Sequence, residues 1–288
     1  MNLSNPNELK DLLRKHKFSF SKSLGQNFLI DQSTLDEIIE GSGINSDTNV
    51  LEIGAGAGTL TRELAHNSKK TVSIEIDKNL VPILNETMSD FENFKLVNQD
   101  VMAIDLIALT HEEFGDEPFA VVANLPYYIT TPIVMNLLES GANVSGMTLM
   151  VQREVAARMA ASEGGKDYGA LTVAVQFYTN PTIICNAEPH CFIPQPKVAS
   201  TVINLSVLEK PSVTVSDKKF FFKLVKSAFG QRRKTLVNAI SGSPYMEVNK
   251  EKVIEALTKM NLDTRIRGER LSLSMFAELS NILFSQIT

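Results

Sequence analysis

The sequence predicts an α/β protein in which a doubly wound, mostly parallel sheet is followed by a smaller all-α domain. Three observations predict this architecture. As far as about residue 210, short runs rich in Val, Ile and Leu alternate with amphipathic helical patterns, which is typical of parallel strands joined by right-handed crossovers. A glycine-rich turn follows the first long strand. Beyond Pro211 the apolar residues recur only at helical spacing.

The N-terminal helices are predicted from their capping residues. Asn5 and Pro6 begin a helix that ends near His16, because Asn is a good cap and Pro favours the first helical position. After a polar loop, Asp31 is expected to cap a second helix. The predicted strands are residues 49–53, 71–76, 94–98, 119–123 and 148–152, with 182–187 and 199–208 as further segments that extend one edge of the sheet.

The domain boundary is predicted in the segment 209–216, which contains Pro211 and several small polar residues. It separates residues 1–210 from residues 211–288, where four helices are expected after Asp217. The charge changes at the same place, because the second part contains 13 Lys and Arg against 7 Asp and Glu and the first contains 15 against 26. A basic domain indicates a polyanionic partner, and a solvated lysine-rich surface is the alternative interpretation.

The composition excludes several classes of protein. With 288 residues, 43% hydrophobic and 21% charged, the chain is typical of a folded two-domain protein. No uncharged apolar run approaches the roughly 18 residues that span a bilayer, and no signal-type core is found, so we expect no membrane association and a cytoplasmic location. Cys185 and Cys191 are too few for a disulfide framework, and His190 beside them does not complete a four-ligand zinc site. No metal is expected.

The glycine-rich turn is the first candidate binding element. Gly54, Gly56 and Gly58 lie where the first long strand meets the next helix, and glycine there permits a close approach of the backbone to a ligand. The spacing is G-x-G-x-G, and the dinucleotide fingerprint G-x-G-x-x-G has its third glycine one residue later. The turn therefore favours an adenosine-bearing cofactor other than NAD or FAD.

Polar residues follow three successive strands. Glu75 comes 21 positions after Gly54, where an acidic side chain can accept from both ribose hydroxyls, and Asp100 is placed to accept from an adenine amino group. Asn124 ends the next strand. Because the carboxyl ends of parallel strands line one crevice, we expect the three side chains to share one pocket. For any one of them alone, a solvated loop residue is the alternative.

The segment Asn124-Leu125-Pro126-Tyr127 suits chemistry on an adenine amine. That nitrogen is a poor nucleophile because its lone pair is delocalised into the ring. An Asn side-chain oxygen and the backbone carbonyl before a proline can each accept one N–H hydrogen, which localises the lone pair. The Tyr127 ring offers a π-face for a base taken out of its stack, and a simple aromatic turn is the alternative interpretation.

Five segments resemble motifs of one known family. They are Gly-Gln-Asn-Phe-Leu at 25–29, Asn-Leu-Pro-Tyr at 124–127, Cys-Phe-Ile-Pro-Gln-Pro-Lys-Val at 191–198, Phe-Gly-Gln-Arg-Arg-Lys-Thr-Leu at 229–236 and Arg-Gly-Glu-Arg-Leu at 267–271. The chain in this respect is similar to the ribosomal RNA adenine N6-dimethyltransferases of the KsgA type. The resemblance implies a Rossmann-like methyltransferase sheet, S-adenosyl-L-methionine as cofactor and an RNA substrate.

The resemblance also implies roles for individual residues. Asn27 and Leu29 would close over the methionine end of the cofactor, Gly54 and Gly56 would approach it by their backbone, and Glu75, Asp100 and Asn124 would hold it. Asn124, Leu125, Pro126 and Tyr127 would act on the target base, with the ring of Phe192 stacked opposite Tyr127. The expected RNA-binding residues are Lys197, Arg232, Arg233 and Lys234, the last three on consecutive helical positions that fan toward backbone phosphates.

The function implied is dimethylation of the N6 amino groups of two adjacent adenosines in the 3′-terminal hairpin loop of small-subunit (16S) rRNA. We expect the partner to be small-subunit rRNA in an immature 30S particle, with the protein acting as a monomer. Three alternatives stay open: a large-subunit rRNA methyltransferase of the antibiotic-resistance branch, a non-catalytic ribosome assembly factor, and a DNA adenine methyltransferase.

Overall fold

The computed structural model describes residues 1–287, apart from the side chain of Lys22. Contacts divide the chain into two compact units. The first comprises Met1–Ala156 and Asn180–Val207, and the second comprises Ala157–Thr179 and Leu208–Thr288. Within the described residues, no helix is long and apolar enough to cross a membrane.

The secondary structure alternates as expected. The helices are α1 (Pro6–Lys15), α2 (Gln32–Ser42), α3 (Thr59–Asn67), α4 (Val81–Thr87), α5 (Leu106–Phe114), α6 (Thr130–Glu139), α7 (Arg153–Met159), α8 (Ala170–Tyr178), α9 (Lys218–Gly230), α10 (Leu236–Ser241), α11 (Lys250–Lys259) and α12 (Leu273–Ser285). The strands are β1 (Phe28–Leu29), β2 (Asn49–Ile53), β3 (Lys70–Ile74), β4 (Phe94–Val97), β5 (Phe119–Asn124), β6 (Val144–Gln152), β7 (Thr179–Ala187), β8 (Phe192–Ile193) and β9 (Ser200–Val207).

Seven strands form the main sheet in the order β4-β3-β2-β5-β6-β9-β7. The pairs from β4 through β6 are parallel, and β9 pairs antiparallel with β6. This confirms the doubly wound, mostly parallel sheet and its extension at one edge by the two later strands. The chain runs outward from β2 to β4 and returns to β5 on the other side of β2. The crevice at this change of direction is where ligands bind in open α/β sheets.

The first unit is held together by helices that pack apolar faces on the sheet. Every residue of β2 is buried, as expected of a strand covered on both faces. Leu35 and Ile38 of α2 and Leu64 of α3 share one apolar cluster with strand residues such as Val50. The predicted caps are confirmed, because the Asn5 side chain accepts from the backbone N–H of Asn7 at the start of α1 and Asp31 accepts from that of Thr34 at the start of α2.

The second unit is helical, and its four C-terminal helices α9 to α12 confirm the expected number. Its core also contains residues from the segment Ala157–Thr179, which the sequence analysis assigned to the first domain. Tyr168 and Phe177 are buried in the same cluster as Phe221 and Phe276, and the Tyr168 hydroxyl donates to the carbonyl of Leu271 at 2.9 Å. Burial of these rings with the C-terminal helices explains why the segment joins them.

The basic run Arg232-Arg233-Lys234 does not lie on a helix. Helix α9 ends at Gly230, and the three residues form an exposed turn before α10. The Arg232 guanidinium donates to the carbonyls of Lys166 and Tyr168 at 2.8 and 3.1 Å within the second unit. The prediction of consecutive helical positions is therefore wrong, because α9 ends before the run, with its cap at Gln231, and the apolar periodicity did not reveal that end.

Candidate active site

A cleft opens at the carboxyl ends of the central strands in the first unit. It encloses about 1160 Å³, part of it open to solvent, which is enough space for a nucleoside-sized ligand. The predicted site residues that line it are Asn27, Leu29, Gly54, Gly56, Glu75, Asp100, Asn124, Leu125, Pro126 and Tyr127. The topology thus brings together residues from four strand ends, from β1 and from the loop before it.

The glycine-rich turn forms one wall of the cleft. Gly54 has a φ of +82° and Gly56 a φ of +60°, a region that favours glycine. A Cβ at Gly54 would lie 3.7 Å from the Asn124 carbonyl oxygen, and one at Gly56 would lie 3.0 Å from the Phe28 ring. Side chains there would fill the space between the turn and its neighbours. The two glycines therefore keep backbone open toward the cleft.

Glu75 follows β3 and presents a buried carboxylate at the base of the cleft. One oxygen accepts the backbone N–H of Gly56 at 3.0 Å, and the other accepts that of Asp77 at 2.8 Å. Burial raises the pKa of this carboxyl, and the two backbone N–H groups oppose part of the rise. Each oxygen keeps a lone pair that can accept from a ligand hydroxyl.

Asp100 lies farther along the same wall on the exposed loop after β4. One oxygen accepts the backbone N–H of Met102 at 2.9 Å, which fixes the carboxylate at the cleft. Ile76 and Met102 also line the cleft, and their side chains are 47% and 42% exposed. Large apolar residues held this open provide faces for a flat apolar ring. Neither residue was predicted, although Ile76 directly follows Glu75 and Met102 comes two positions after Asp100.

Asn124 has its side-chain amide held in one orientation. Its Nδ2 donates to the backbone carbonyl of Asn27 at 3.1 Å. Among residues 1–287, no bond engages the Oδ1 atom, so this oxygen stays available as an acceptor in the cleft. The orientation follows from the hydrogen bond, because a flipped amide would set Oδ1 against the Asn27 carbonyl.

The loop that carries Asn27 is fastened at several points. Gln26 Nε2 donates to Asp77 Oδ2 at 2.7 Å, and Gln26 Oε1 accepts the backbone N–H of Ser21 at 2.8 Å. The Tyr128 ring lies beside Gly25, because a Cβ built there would be 3.6 Å from the ring. The loop therefore joins the end of β3 to the loop after β5. No local sequence pattern indicates the hydrogen bond between Gln26 and Asp77.

The loop after β5 is rigid at its backbone. The N–H of Leu125 donates to the carbonyl of Met150, and the carbonyl of Pro126 accepts from the Thr130 hydroxyl at 3.1 Å. Tyr127 is partly buried and lines the cleft, and its hydroxyl lies 2.6 Å from the Oγ of Ser200. Burial raises the pKa of the Tyr127 hydroxyl, which stays protonated at neutral pH.

Two predicted residues of the first unit do not line the cleft. Phe192 is 1% exposed in β8 and packs in the cluster that contains Leu29, Ile38 and Cys191. A stacking face for a base opposite Tyr127 is therefore absent at Phe192 in this structure, because the short β1–β8 pairing draws the residue into the core. Lys197 lies exposed on the following loop.

A second buried carboxylate, Glu52, lies behind the glycine-rich turn. It accepts from the hydroxyls of Thr61 and Ser73, and burial raises its pKa to about 7. Sequence reasoning missed this residue as a polar group of the cleft wall. Within residues 1–287, no group of three His, Cys, Asp or Glu side chains is arranged to hold a metal ion, and Cys185 and Cys191 are free thiols.

Solved structures give the class of protein. The fold is similar to a dimethyladenosine transferase from Plasmodium falciparum, with a TM-score of 0.73 and 25% identity over 88% of this chain and 95% of that one. It is also similar to the 23S rRNA methyltransferase ErmE, with a TM-score of 0.69 and 27% identity over 90% of this chain and 100% of that one. The fold and the cleft define a Rossmann-like methyltransferase.

Sequence comparison gives the family. The ribosomal RNA small subunit methyltransferase A of Clostridioides difficile is 49% identical over 286 residues, which cover 99% of this chain and 98% of that protein. The family model for ribosomal RNA adenine dimethylase matches residues 17–280. The chain belongs to the ribosomal RNA adenine dimethylase family, which confirms the resemblance found in its motifs.

Proposed function

We propose that this protein dimethylates the N6 amino groups of two adjacent adenosines in the 3′-terminal hairpin loop of small-subunit (16S) rRNA during ribosome biogenesis. The methyl donor is S-adenosylmethionine. Membership of the rRNA adenine dimethylase family supports the reaction type. The small subunit is favoured as substrate because the relative named for it is 49% identical, whereas the 23S rRNA methyltransferase ErmE is 27% identical.

The residues of the cleft fit this cofactor. The open backbone at Gly54 and Gly56 leaves room for its methionine part, and the buried Glu75 carboxylate can accept from both ribose hydroxyls. Asp100 would accept from the adenine amino group, and the exposed side chains of Ile76 and Met102 would offer apolar faces to the adenine ring. When bound, S-adenosylmethionine supplies an electrophilic methyl group on a positively charged sulfur.

The chain's own part in the chemistry is to activate and place the target amine. Asn124 Oδ1 accepts one N6 hydrogen and the carbonyl of Leu125 accepts the other, which localises the nitrogen lone pair. Tyr127 offers its ring face to the base taken out of the RNA stack. Holding both reactants in one cleft that excludes water supplies much of the rate through orientation.

The partner is small-subunit rRNA in an immature 30S particle, and the protein acts as a monomer in the cytoplasm without a metal. The exposed side chains of Lys197, Arg233 and Lys234 contact backbone phosphates. The excess of basic residues after Pro211 supports this electrostatic role.

The observation that carries the proposal is the anchored amide of Asn124. Its Nδ2 is bonded to the carbonyl of Asn27, its Oδ1 is left as an acceptor, and the side chain lies in the same cleft as the carboxylate of Glu75. An acceptor fixed in this way matches the demand of an adenine N6 amine.

The test uses S-adenosylmethionine labelled in its methyl group and three parallel substrates: small subunits that lack the modification, large-subunit rRNA and double-stranded DNA. We expect incorporation into the small subunits. The Asn124→Ala variant should lower that incorporation by about 100-fold or more, because it removes a fixed acceptor at the reacting nitrogen. Asn143→Ala is the matched control, since Asn143 also donates its amide to a main-chain carbonyl, that of Asp116.

Three outcomes contradict the proposal. Incorporation into large-subunit RNA alone, or into DNA alone, would show that small-subunit rRNA is not the substrate. Absence of incorporation into every substrate, with normal subunit maturation in cells that carry Asn124→Ala, would identify a non-catalytic assembly factor. Equal activity of Asn124→Ala and Asn143→Ala would remove the amide from the mechanism.

A further inference from the structure

We propose that Ser200 is a positioning residue, which holds the side chain of Tyr127 at the place where its ring receives the target adenine. The inference rests on the proposed function and deepens it. Ser200 begins β9, shortly after β8. Its proposed role does not require the buried ring of Phe192 to become exposed.

The direct observation is a hydroxyl-to-hydroxyl hydrogen bond. Ser200 Oγ lies 2.6 Å from the Tyr127 hydroxyl, at the short end of the usual range for O–H···O bonds. Ser200 is 0% exposed at the start of β9, and Tyr127 lines the cleft. The bond therefore links a fully buried strand residue to a side chain that faces the ligand space.

The remaining freedom of Tyr127 explains why such a bond matters. Its backbone is already fixed, because the N–H of Leu125 donates to Met150 and the carbonyl of Pro126 accepts from Ile129 and Thr130. What stays free is rotation about the side-chain torsions. A bond to the hydroxyl at the far end of the ring fixes the direction in which the side chain extends, and so sets the position of the ring on which a base stacks.

The anchor itself is rigid. Ser200 pairs with Gln152 of β6 in the antiparallel register, and the carbonyl of Ala199 accepts the backbone N–H of Arg153 at 3.0 Å. Strand β6 also carries Met150, which holds Leu125. One strand thus supports both ends of the arrangement, the backbone of the loop after β5 and the hydroxyl of Tyr127.

A buried serine can also serve stability alone, and the neighbouring residue offers a control for that role. Thr201 is 1% exposed, and its hydroxyl donates to Asn186 Oδ1 at 2.7 Å, away from the cleft. Thr201→Ala removes a buried hydroxyl bond from the same strand. It should lower stability at least as much as Ser200→Ala, because it also removes a buried methyl group, and it should keep catalysis within about twofold.

The experiment compares Ser200→Ala, Tyr127→Phe, their double variant and Thr201→Ala in methyl transfer to unmodified small subunits. We expect Ser200→Ala and Tyr127→Phe each to lower kcat roughly tenfold, because the base is placed less well. The Kd for S-adenosylhomocysteine should stay within about twofold of the wild-type value. The double variant should equal the single variants, because both remove one bond.

A spectroscopic readout makes the contact visible without turnover. The chain has five tyrosines, so 3-fluorotyrosine labelling gives five 19F resonances, of which Tyr127→Phe identifies one. Ser200→Ala should shift that resonance and Thr201→Ala should leave it in place. If Ser200→Ala does not fold, Tyr127→Phe removes the same bond from the cleft side and carries the kinetic test.

The outcomes separate this inference from the proposed function. Wild-type protein that modifies no substrate overturns the proposed function, and the fluorine spectra then decide the contact alone. Active wild-type protein with kinetics alike for Ser200→Ala and Thr201→Ala overturns the positioning role. If the decreases in kcat of the two single variants add up in the double variant, the positioning role is also overturned, because Ser200 would then act independently of Tyr127.

Discussion

An asparagine at position 124 does two things that an aspartate could not do together. The NH₂ of its side chain donates to the Asn27 carbonyl, and this leaves the oxygen to accept from a ligand amine. A carboxylate has no proton to donate at neutral pH, so it would repel that carbonyl. The fixed amide therefore accounts for the residue type at the reacting end of the cleft.

Asp100 gives a prediction about recognition of the adenine amino group. Replacing adenine by purine in S-adenosylhomocysteine removes that amino group and should weaken binding to the wild-type protein about tenfold, the usual worth of a hydrogen bond to a charged acceptor. In the Asp100→Ala variant, S-adenosylhomocysteine should bind only about twofold more tightly than its purine analogue. Isothermal titration with both ligands measures this preference, and Asp90→Ala on an exposed turn is the control. An unchanged preference in Asp100→Ala would place the amino group elsewhere.

At this scale the sequence predicts residues that act by their position at a strand end. Glu75, Asp100 and Asn124 could be found because the ends of parallel strands must meet. Gln26 was missed because its role depends on a partner 51 positions away in sequence, to which no local pattern points. The stacking role of Phe192 rested on the resemblance alone, because an aromatic residue in a proline-rich loop has the same local pattern whether it is buried or faces a ligand; in the structure it is buried.

The turn between α9 and α10 separates a structural arginine from residues free to bind RNA. Arg232→Ala should lower the free energy of unfolding by about 1 kcal/mol, because its guanidinium holds the carbonyls of Lys166 and Tyr168. Arg233→Ala should change it by less than about 0.5 kcal/mol. Urea denaturation of the two variants measures the difference. Equal effects would contradict the structural role of Arg232.

The exposed residues of the same turn should appear in the salt dependence of RNA binding. Each phosphate contact contributes about one unit to the slope of log affinity against log salt concentration. Arg233→Ala and Lys234→Ala should each reduce the slope by about one. Filter binding of small-subunit rRNA between low and moderate salt measures it, with Lys10→Ala on α1 as an exposed control. A slope that both variants leave intact would remove the turn from the RNA interface.

The elements show where periodicity is informative and where it is not. The strand β2 was predicted with its observed bounds because its apolar residues are bracketed by polar turns. The end of α9 was missed, because Phe229 continues the apolar pattern into the last turn of the helix. The cap of α9 at Asp217, whose side chain accepts from the backbone N–H of Phe220, was within reach of sequence reasoning.

On the scale of the whole molecule, the chain passes between the two units more often than the composition suggests. The segment Ala157–Thr179 contributes Tyr168 and Phe177 to the core of the second unit before the chain returns to the first at Asn180. A single boundary near residue 210 was predicted because the change in charge and periodicity falls there. The segment Ala157–Thr179 shows no change in charge or periodicity. Its place in the second unit follows only from its packing against residues far along the chain.

The buried carboxyl of Glu52 should make the free energy of unfolding depend on pH. Burial raises its pKa from 4.5 to about 7, so between these values the folded protein keeps a proton that the unfolded chain has released. The free energy of unfolding then falls as pH rises through this window. Relative to pH 5, the wild-type protein at pH 8 should lose on the order of 3 kcal/mol that the Glu52→Gln variant keeps, because the amide cannot ionise.

Urea denaturation of both proteins at pH 5 and pH 8 measures this difference, and taking the difference cancels the other titrating groups. Glu117 is the control of opposite sign, because its hydrogen bond to Lys69 lowers the pKa of its carboxyl. The stabilisation from that pair is present above pH 4.5 and is lost as pH falls, so Glu117→Gln should cost stability at pH 8 and little near pH 3. If wild-type and Glu52→Gln proteins show the same pH dependence from 5 to 8, the Glu52 carboxyl ionises as readily in the fold as in water.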